Sequence, residues 1–339
     1  MKKQIDTRSD TVTQPPLEMR QTMVTAALGD DGYRDDPTVL QLESMAAEIC
    51  GKEAGLFVAS GVMGNQLALF THCNHGDEVI LAENCHIVDH ELGASAVISG
   101  VQLRTLPAPD GMMSPDAIKA AIRHCLLPKT KLICLENAHS LGIVHPLEYM
   151  AAVRKIADEN GIAIHLDGAR LFNAALYLGV EPKVLASYAD SVMFCLSKGL
   201  CAPVGSVLVG TREFIAKATP RRKIMGGEMR QAGVLAAPGI YALQHMRARL
   251  QTDHDNAQLL AQLLAQQPAL TVSPEKVHIN MVYFGEAVAG SFAKIEQAFM
   301  QAGILFNPAE HGVMRLATHY GMEESDVRFV VQTIAAALA

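Results

Sequence analysis

The chain of 339 residues contains no tryptophan, and its aromatic content is only 5%. The missing tryptophan excludes nothing. The absence of a positive net charge (28 Lys and Arg against 35 Asp and Glu, formal charge −7) argues against nucleic acid and anionic membrane as partners. A local basic cluster, Lys217 to Lys223 with Arg221 and Arg222 inside it, suggests one anion and not a polymer. No Cys-x-x-Cys pair occurs among the seven cysteines (50, 73, 85, 125, 134, 195 and 201), so reduced, mostly buried thiols are expected rather than a disulfide framework or a metal knuckle. There is no apolar run long enough for a membrane span. The polar residues after Met1-Lys-Lys give no signal core, so the expected location is cytoplasmic.

What is present is hydrophobic material for a sizeable core, at 50% of the residues with 19% charged. The length exceeds the usual limit of one core, which predicts a large and a smaller domain. Short apolar runs alternate with helical patterns at Gly55 to Ala59, Glu78 to Leu81, Ala96 to Ser99, Lys131 to Leu135, Ile162 to Leu166, Ser191 to Leu196 and Ser206 to Val209. Such alternation predicts an α/β fold with a mostly parallel seven-stranded sheet flanked by helices. A long helical pattern from Gly233 to about Gln267 leads to strand-like Val277 to Phe284 and Gly312 to Ala317, with helical segments between and after. The expected division is residues 1–250 as a large cofactor-binding domain with an N-terminal arm, and 251–339 as a small C-terminal α+β domain.

The chemistry gathers at strand ends. Asp190-Ser-Val-Met-Phe-Cys-Leu-Ser-Lys-Gly-Leu closes an apolar strand on Lys198, an amine placed to form an imine with a carbonyl. Ile162-Ala-Ile-His-Leu-Asp-Gly-Ala-Arg closes another on Asp167, a carboxylate that needs a cationic partner: a protonated ring nitrogen, or Arg170 in a purely structural pair. Gly55-Leu-Phe-Val-Ala-Ser-Gly-Val-Met-Gly-Asn puts Ser60, Gly61 and Gly64 between a strand and a helix, where backbone amides attract phosphate, although neither the dinucleotide nor the Walker spacing is present. An anion cradle, a pyridinium partner and an imine-forming lysine are together what pyridoxal 5'-phosphate requires. His86 and His139 fall at two further strand ends, where an imidazole can stack on a ring or move protons. His72 with His75, and His86 with Asp89 and His90, have helical metal-ligand spacing, but no further Cys/His cluster completes a site and no metal is expected. His72 and His75 are expected to lie solvated at a helix end.

With these motifs in order, the chain resembles the L-threonine aldolases of the low-specificity type, pyridoxal-phosphate enzymes of the aspartate-aminotransferase fold. The resemblance spans nearly the whole length and rests on Asp6-Thr-Arg-Ser-Asp-Thr-Val-Thr, Gly29-Asp-Asp-Gly-Tyr, Leu135-Glu-Asn-Ala-His, His165-Leu-Asp-Gly-Ala-Arg-Leu-Phe-Asn, Cys195-Leu-Ser-Lys-Gly-Leu, Met229-Arg-Gln-Ala-Gly and Met314-Arg-Leu-Ala-Thr-His. It implies reversible cleavage of a β-hydroxy amino acid to glycine and an aldehyde. It further implies that Lys198 holds the cofactor, Asp167 its ring nitrogen, Gly61 and Val62 the phosphate, and that His86 stacks on the ring. By the same resemblance Ser9, Arg170 and Arg315 grip the substrate carboxylate, His139 sits near its hydroxyl, and Lys223 and Arg230 reach the site of a neighbouring subunit in a homo-oligomer, a dimer or tetramer. The proton-accepting base stays open among His139, His86 and water. The alternatives are another pyridoxal-phosphate lyase on the same frame, such as a β-eliminating one, an aldolase with altered side-chain specificity and, more remotely, a non-catalytic homologue without cofactor.

Several positions depart from the family pattern. Val62 replaces a threonine, Arg34 and Glu228 each replace a glycine, His90 replaces an aromatic residue, and the segment following Asn137 reads Ala-His-Ser-Leu-Gly. Arg34 and Glu228, of opposite charge, are expected to pair near the site.

Overall fold

A computed structural model describes residues 4–124 and 128–339; Cys125 lies outside the described residues. The large sheet is built from β1 (Ala54–Val58), β2 (Glu78–Ala82), β3 (Gln102–Leu106), β4 (Thr130–Glu136), β5 (Ala163–Asp167), β6 (Ser191–Cys195) and β7 (Ser206–Gly210). Their spatial order is β1-β7-β6-β5-β4-β2-β3. Five neighbouring strands, from β6 across to β3, pair in parallel, whereas β7 is antiparallel to both β1 and β6, so it alone is reversed. Strands β2, β6 and β7 are buried along their entire length. Helices cover both faces, which is why these runs read as continuously apolar rather than alternating.

The sheet has the expected seven strands, but one is not where the apolar runs put it. Residues Ser95–Ser99 form a wide helical turn packed against the helix Gly61–His72, and the chain then reverses at Gly100 (φ +61°) into β3. As an edge strand, β3 carries Gln102, Arg104 and Thr105, so it lacks the apolar signature that the central strands have. The long helix expected from Gly233 is likewise interrupted: Gly233–Tyr241, a π-type turn at Ala242–Met246, then Leu250–Leu264. Pro238 lies inside the first of these, where it has no amide to offer Val234 O.

A second, antiparallel sheet has the order β10-β9-β8, from β8 (Leu270–Val272), β9 (Met281–Glu286) and β10 (Val313–Ala317). β8 had no counterpart in the sequence reading, and β9 begins four residues later than Val277. Phe284, Phe292, Phe299, Leu316, Val330 and Ile334 form a core here that is separate from that of the large sheet. The N-terminal arm joins it: Ile5 is buried in this cluster, Leu305 N donates to Ile5 O, and Ala317 N donates to Thr7 O. The polar arm is thereby laid against β10, close to the edge where the parallel strands end.

Candidate active site

Because β1, β2, β4, β5 and β6 run in the same direction, the residues that follow them meet at one edge, the usual ligand edge of an open α/β sheet. After β1, Ser60 caps the helix Gly61–His72: its Oγ accepts from Met63 N at 3.1 Å, and its carbonyl accepts from Gly64 N. Of the amides that a helix start leaves without an intrahelical partner, those of Gly61 and Val62 therefore remain for an anion. The helix sits so close to β6 that a Cβ on Gly64 would lie 2.4 Å from Met193 Cγ, and one on Gly61 would lie 2.9 Å from Cys195 Sγ. Only glycine fits at these two seats.

Asp167 ends β5 and is buried. Its Oδ1 accepts from Ala169 N (3.0 Å) and its Oδ2 from the Asn65 amide (2.6 Å), which fixes the carboxylate plane and leaves acceptor capacity on each oxygen. Arg170 does not pair with it. The guanidinium instead grips Asp10 of the N-terminal arm in a fork, Nε to Oδ2 at 2.9 Å and Nη2 to Oδ1 at 2.7 Å. Burial alone would raise the Asp10 carboxyl, but the charge and hydrogen bonds of Arg170, with Lys198 and Asn280 adding, hold it well below the usual range. Asp10 keeps Arg170 charged and aimed.

Lys198 follows β6 and is half-buried, and Thr13 Oγ1 donates to its carbonyl (2.9 Å), so the arm also fixes the backbone beneath the amine. Arg315 on β10 donates to Arg8 O at 2.9 Å, directly beside Ser9. Ser9, Arg170 and Arg315 are thus drawn together through the arm and its neighbours.

His86 donates from Nδ1 to Glu91 Oε1 at 2.9 Å, since a carboxylate there can only accept. Chiefly this hydrogen bond, helped by the charges of Asp167 and Glu91 against burial and Lys198, raises the His86 pKa. Its Nε2 stays open. His139 is different: fully buried, with Nδ1 accepting from Leu141 N (3.2 Å) and the ring packed so tightly under Gly111 that a Cβ there would lie 2.5 Å away. Its Nε2 has no hydrogen-bond partner and faces Glu136 at 3.7 Å.

Two expectations need correction. Arg34 and Glu228 do not pair with each other: Arg34 binds Asp31 and the buried Glu43, while Glu228 binds Lys223 at 2.8 Å. Two carboxylates on its own side of the loop are nearer to Arg34 than any across it. His72 is not solvated either, because its ring stacks on Phe214 (4.4 Å between centroids) and its Nε2 lies 2.8 Å from Ser191 Oγ; His75 is exposed as expected. Lys223 and Arg230 are both about two-thirds exposed, Arg230 lying 3.5 Å from Asp30.

The sequence reading assigned no role to Asp10, Asn65 or Glu91. Asp10 lay within a motif that carried the resemblance but in which only Ser9 was given a role; Asn65 meets Asp167 102 residues away, and Glu91 meets His86 five residues before it. Ligand atoms of His86, Glu91 and Asp167 lie within 4.8 Å of one another, a tight cluster of two buried carboxylates and one imidazole.

A carboxylate at one strand end, an imidazole near it, a half-buried lysine after the next strand and free amides at a helix start are the parts that a site of the pyridoxal-phosphate class on an α/β sheet requires. The residues present fit that group: Asp167 retains lone pairs for a ring N–H, and the glycine seats bring the amides down to the same edge. The chain belongs to the beta-eliminating lyase family, whose model matches residues 6–287, and within it to the low-specificity L-threonine aldolases. It is 44% identical to low-specificity L-threonine aldolase 1 of Arabidopsis thaliana, over 96% of this chain and 94% of that one. To the low specificity L-threonine aldolase of Escherichia coli K12 it is 42% identical, over 93% of each. A threonine aldolase structure from Leishmania major shares the fold, with a TM-score of 0.85 at 18% identity, over 99% of this chain and 100% of that one.

Proposed function

We propose that the protein is a pyridoxal-phosphate-dependent carbon–carbon lyase that cleaves β-hydroxy amino acids of the L-threonine or L-allo-threonine type to glycine and an aldehyde. Identity above 40% to enzymes of that name over nearly the full chain carries this reading, and the gathering of Lys198, Asp167 and His86 at one edge supports it. When bound, the cofactor supplies a conjugated electron sink for the pair released as a bond at Cα breaks. Lys198 would hold the cofactor, Asp167 would bind the ring nitrogen, and the amides of Gly61 and Val62 would bind the phosphate.

Arg170, held straight by Asp10, and Arg315, beside Ser9, bind the substrate carboxylate; two guanidinium forks set the direction of the Cα–Cβ bond, and alignment selects which bond breaks. His86 would stack on the ring, with Nε2, the nitrogen that Glu91 leaves open, available to exchange a proton. His139, whose Nε2 has no hydrogen-bond partner, would sit near the substrate hydroxyl. The surface positions of Lys223 and Arg230 suit a role at the site of a second copy, which makes the working unit a homo-oligomer. Among the described residues no helix is long and apolar enough to cross a membrane.

The test is to add pyridoxal phosphate, record the visible band of the lysine-bound form, reduce it with borohydride and map the modified peptide. A label on Lys198, with glycine and acetaldehyde formed from threonine, is the expected result. A label elsewhere would overturn the role of Lys198, and a 2-oxo acid and ammonia as the products would replace the reading with a β-elimination.

A further inference from the structure

Behind Asp167 lies a file of polar side chains that ligand binding does not require. Ser191 Oγ is 2.8 Å from His72 Nε2 and 2.9 Å from His165 Nδ1, and His165 Nε2 is 3.1 Å from Asn65 Oδ1. Asn65 Nδ2 then lies 2.6 Å from Asp167 Oδ2 and 2.8 Å from Glu91 Oε1. Asn65, His165 and Ser191 are all essentially without solvent exposure. The direction of every bond is determined from the carboxylate end. Two carboxylates can only accept, so the Asn65 nitrogen faces them and its oxygen faces His165. That oxygen can only accept, so His165 carries its proton on Nε2. A neutral His165 therefore has a bare Nδ1, which takes the Ser191 proton, and Ser191 in turn accepts from His72 Nε2–H. Burial keeps both rings neutral, lowering His165 to about 3 and His72 to about 4.

We infer that His165 and Asn65, oriented by Ser191 and His72, are positioning residues: a one-way hydrogen-bonded file whose donors all point at Asp167 and lock its carboxylate against the cofactor's ring nitrogen. This rests on the reading that Asp167 meets that nitrogen. Four dipoles in line add positive potential at Asp167 while introducing no charge that could compete with the ring for it. A cation in the same place would hold Asp167 for itself.

The experiment loads the holoenzyme with pyridoxal phosphate labelled with 15N in the ring and reads the ring-nitrogen shift, alongside cofactor Kd. His165→Phe keeps the ring shape but removes both nitrogens; His165→Gln restores a donor where Nε2 stood. The expected result is that wild type and His165→Gln show the protonated-ring shift, whereas His165→Phe moves toward the unprotonated value and binds cofactor about tenfold more weakly, the lower end of what outer hydrogen-bond partners are worth in metal sites. Should His165→Phe fail to fold, as a thermal melt of the cofactor-free protein would show, Ser191→Ala takes its place and is expected to move the shift in the same direction by less. An unchanged shift and Kd in His165→Phe, or in Ser191→Ala where that replaces it, would overturn the inference. An unprotonated ring in the wild type would instead overturn the reading of Asp167 on which it rests.

Discussion

Replacing Asp10 with Asn separates the arm's role from that of the sheet. The Arg170–Asp10 fork is fully enclosed, with Asp10 without exposure and Arg170 at 8%, and its closer contact is 2.7 Å. At that distance and an effective dielectric of about 20, the attraction is about 6 kcal/mol, of which desolvation offsets a large part. Removing one member strands the other charge, a loss measured elsewhere at about 3–5 kcal/mol. Asn keeps the shape and one acceptor, so a loss of about 3 kcal/mol in urea unfolding of the cofactor-free protein is expected for Asp10→Asn. Adding Arg170→Met on that background should cost much less than it does alone, because the stranded charge is then gone. The pH dependence has a definite sign. Since the folded pKa of Asp10 is depressed, its stabilisation is fully present above the unfolded carboxyl value of about 3.9 and is lost as pH falls through the lower folded value. The gap between wild type and variant should therefore be flat from about pH 5 to 8 and close only in stronger acid. Strict additivity of the two substitutions, or a gap below about 1 kcal/mol at neutral pH, would refute the argument.

Three further outcomes follow from particular residues. Glu91→Gln should return the His86 pKa toward about 6.5, visible as a downward shift in its NMR titration; in the wild type the His86 contribution to stability is complete below that unfolded value and fades as pH rises through the higher folded one. Val62→Thr adds a hydroxyl beside the phosphate amides and should tighten cofactor binding by about 0.5–1.5 kcal/mol, read by titrating the cofactor-free protein; weaker binding would contradict the placement of the phosphate. Arg34 has φ +61°, so Arg34→Gly and Arg34→Ala lose the same contacts to Glu43 and Asp31 but differ in backbone strain. Gly should be more stable than Ala by about 1 kcal/mol in thermal melts, and the reverse order would rule out strain at this position.

Lys198, Asp167, Gly61 and His86 were legible in the sequence because each follows a buried strand, and parallel topology carries every such residue to one edge. Depth was not legible. His139 also follows a strand, yet whether it faces the cleft or the core depends on Gly111, which covers it from another loop. The side-chain partners of Asp167 and Arg170 were hidden for a related reason: Asn65 stands 102 residues from Asp167 and Asp10 reaches Arg170 across 160, so no local spacing signals either contact. The edge strand β3 escaped because an edge does not need an apolar run, while the more apolar 95–99 segment is a helical turn that buries Ser95 and Ser99 and leaves Val97 exposed.

The cluster of His86, Glu91 and Asp167 shows why donor spacing alone misleads. Three ligand atoms within 4.8 Å of one another satisfy the geometry of a cation site. Their hydrogen bonds say otherwise: Glu91 is taken up by His86, Asn65 and Gln66, and Asp167 by Asn65 and Ala169. A metal would also need an unprotonated imidazole nitrogen, and the nitrogen that His86 turns toward Glu91 carries a proton. Two carboxylates this close repel by about 3 kcal/mol at an effective dielectric near 20, and the Asn65 amide, donating to both, is what lets them coexist without a metal between them. Glu91 already accepts from His86 Nδ1, whereas among the described residues Asp167 has no cationic side chain hydrogen-bonded to it. An acceptor so placed suits the ring nitrogen that we propose it binds.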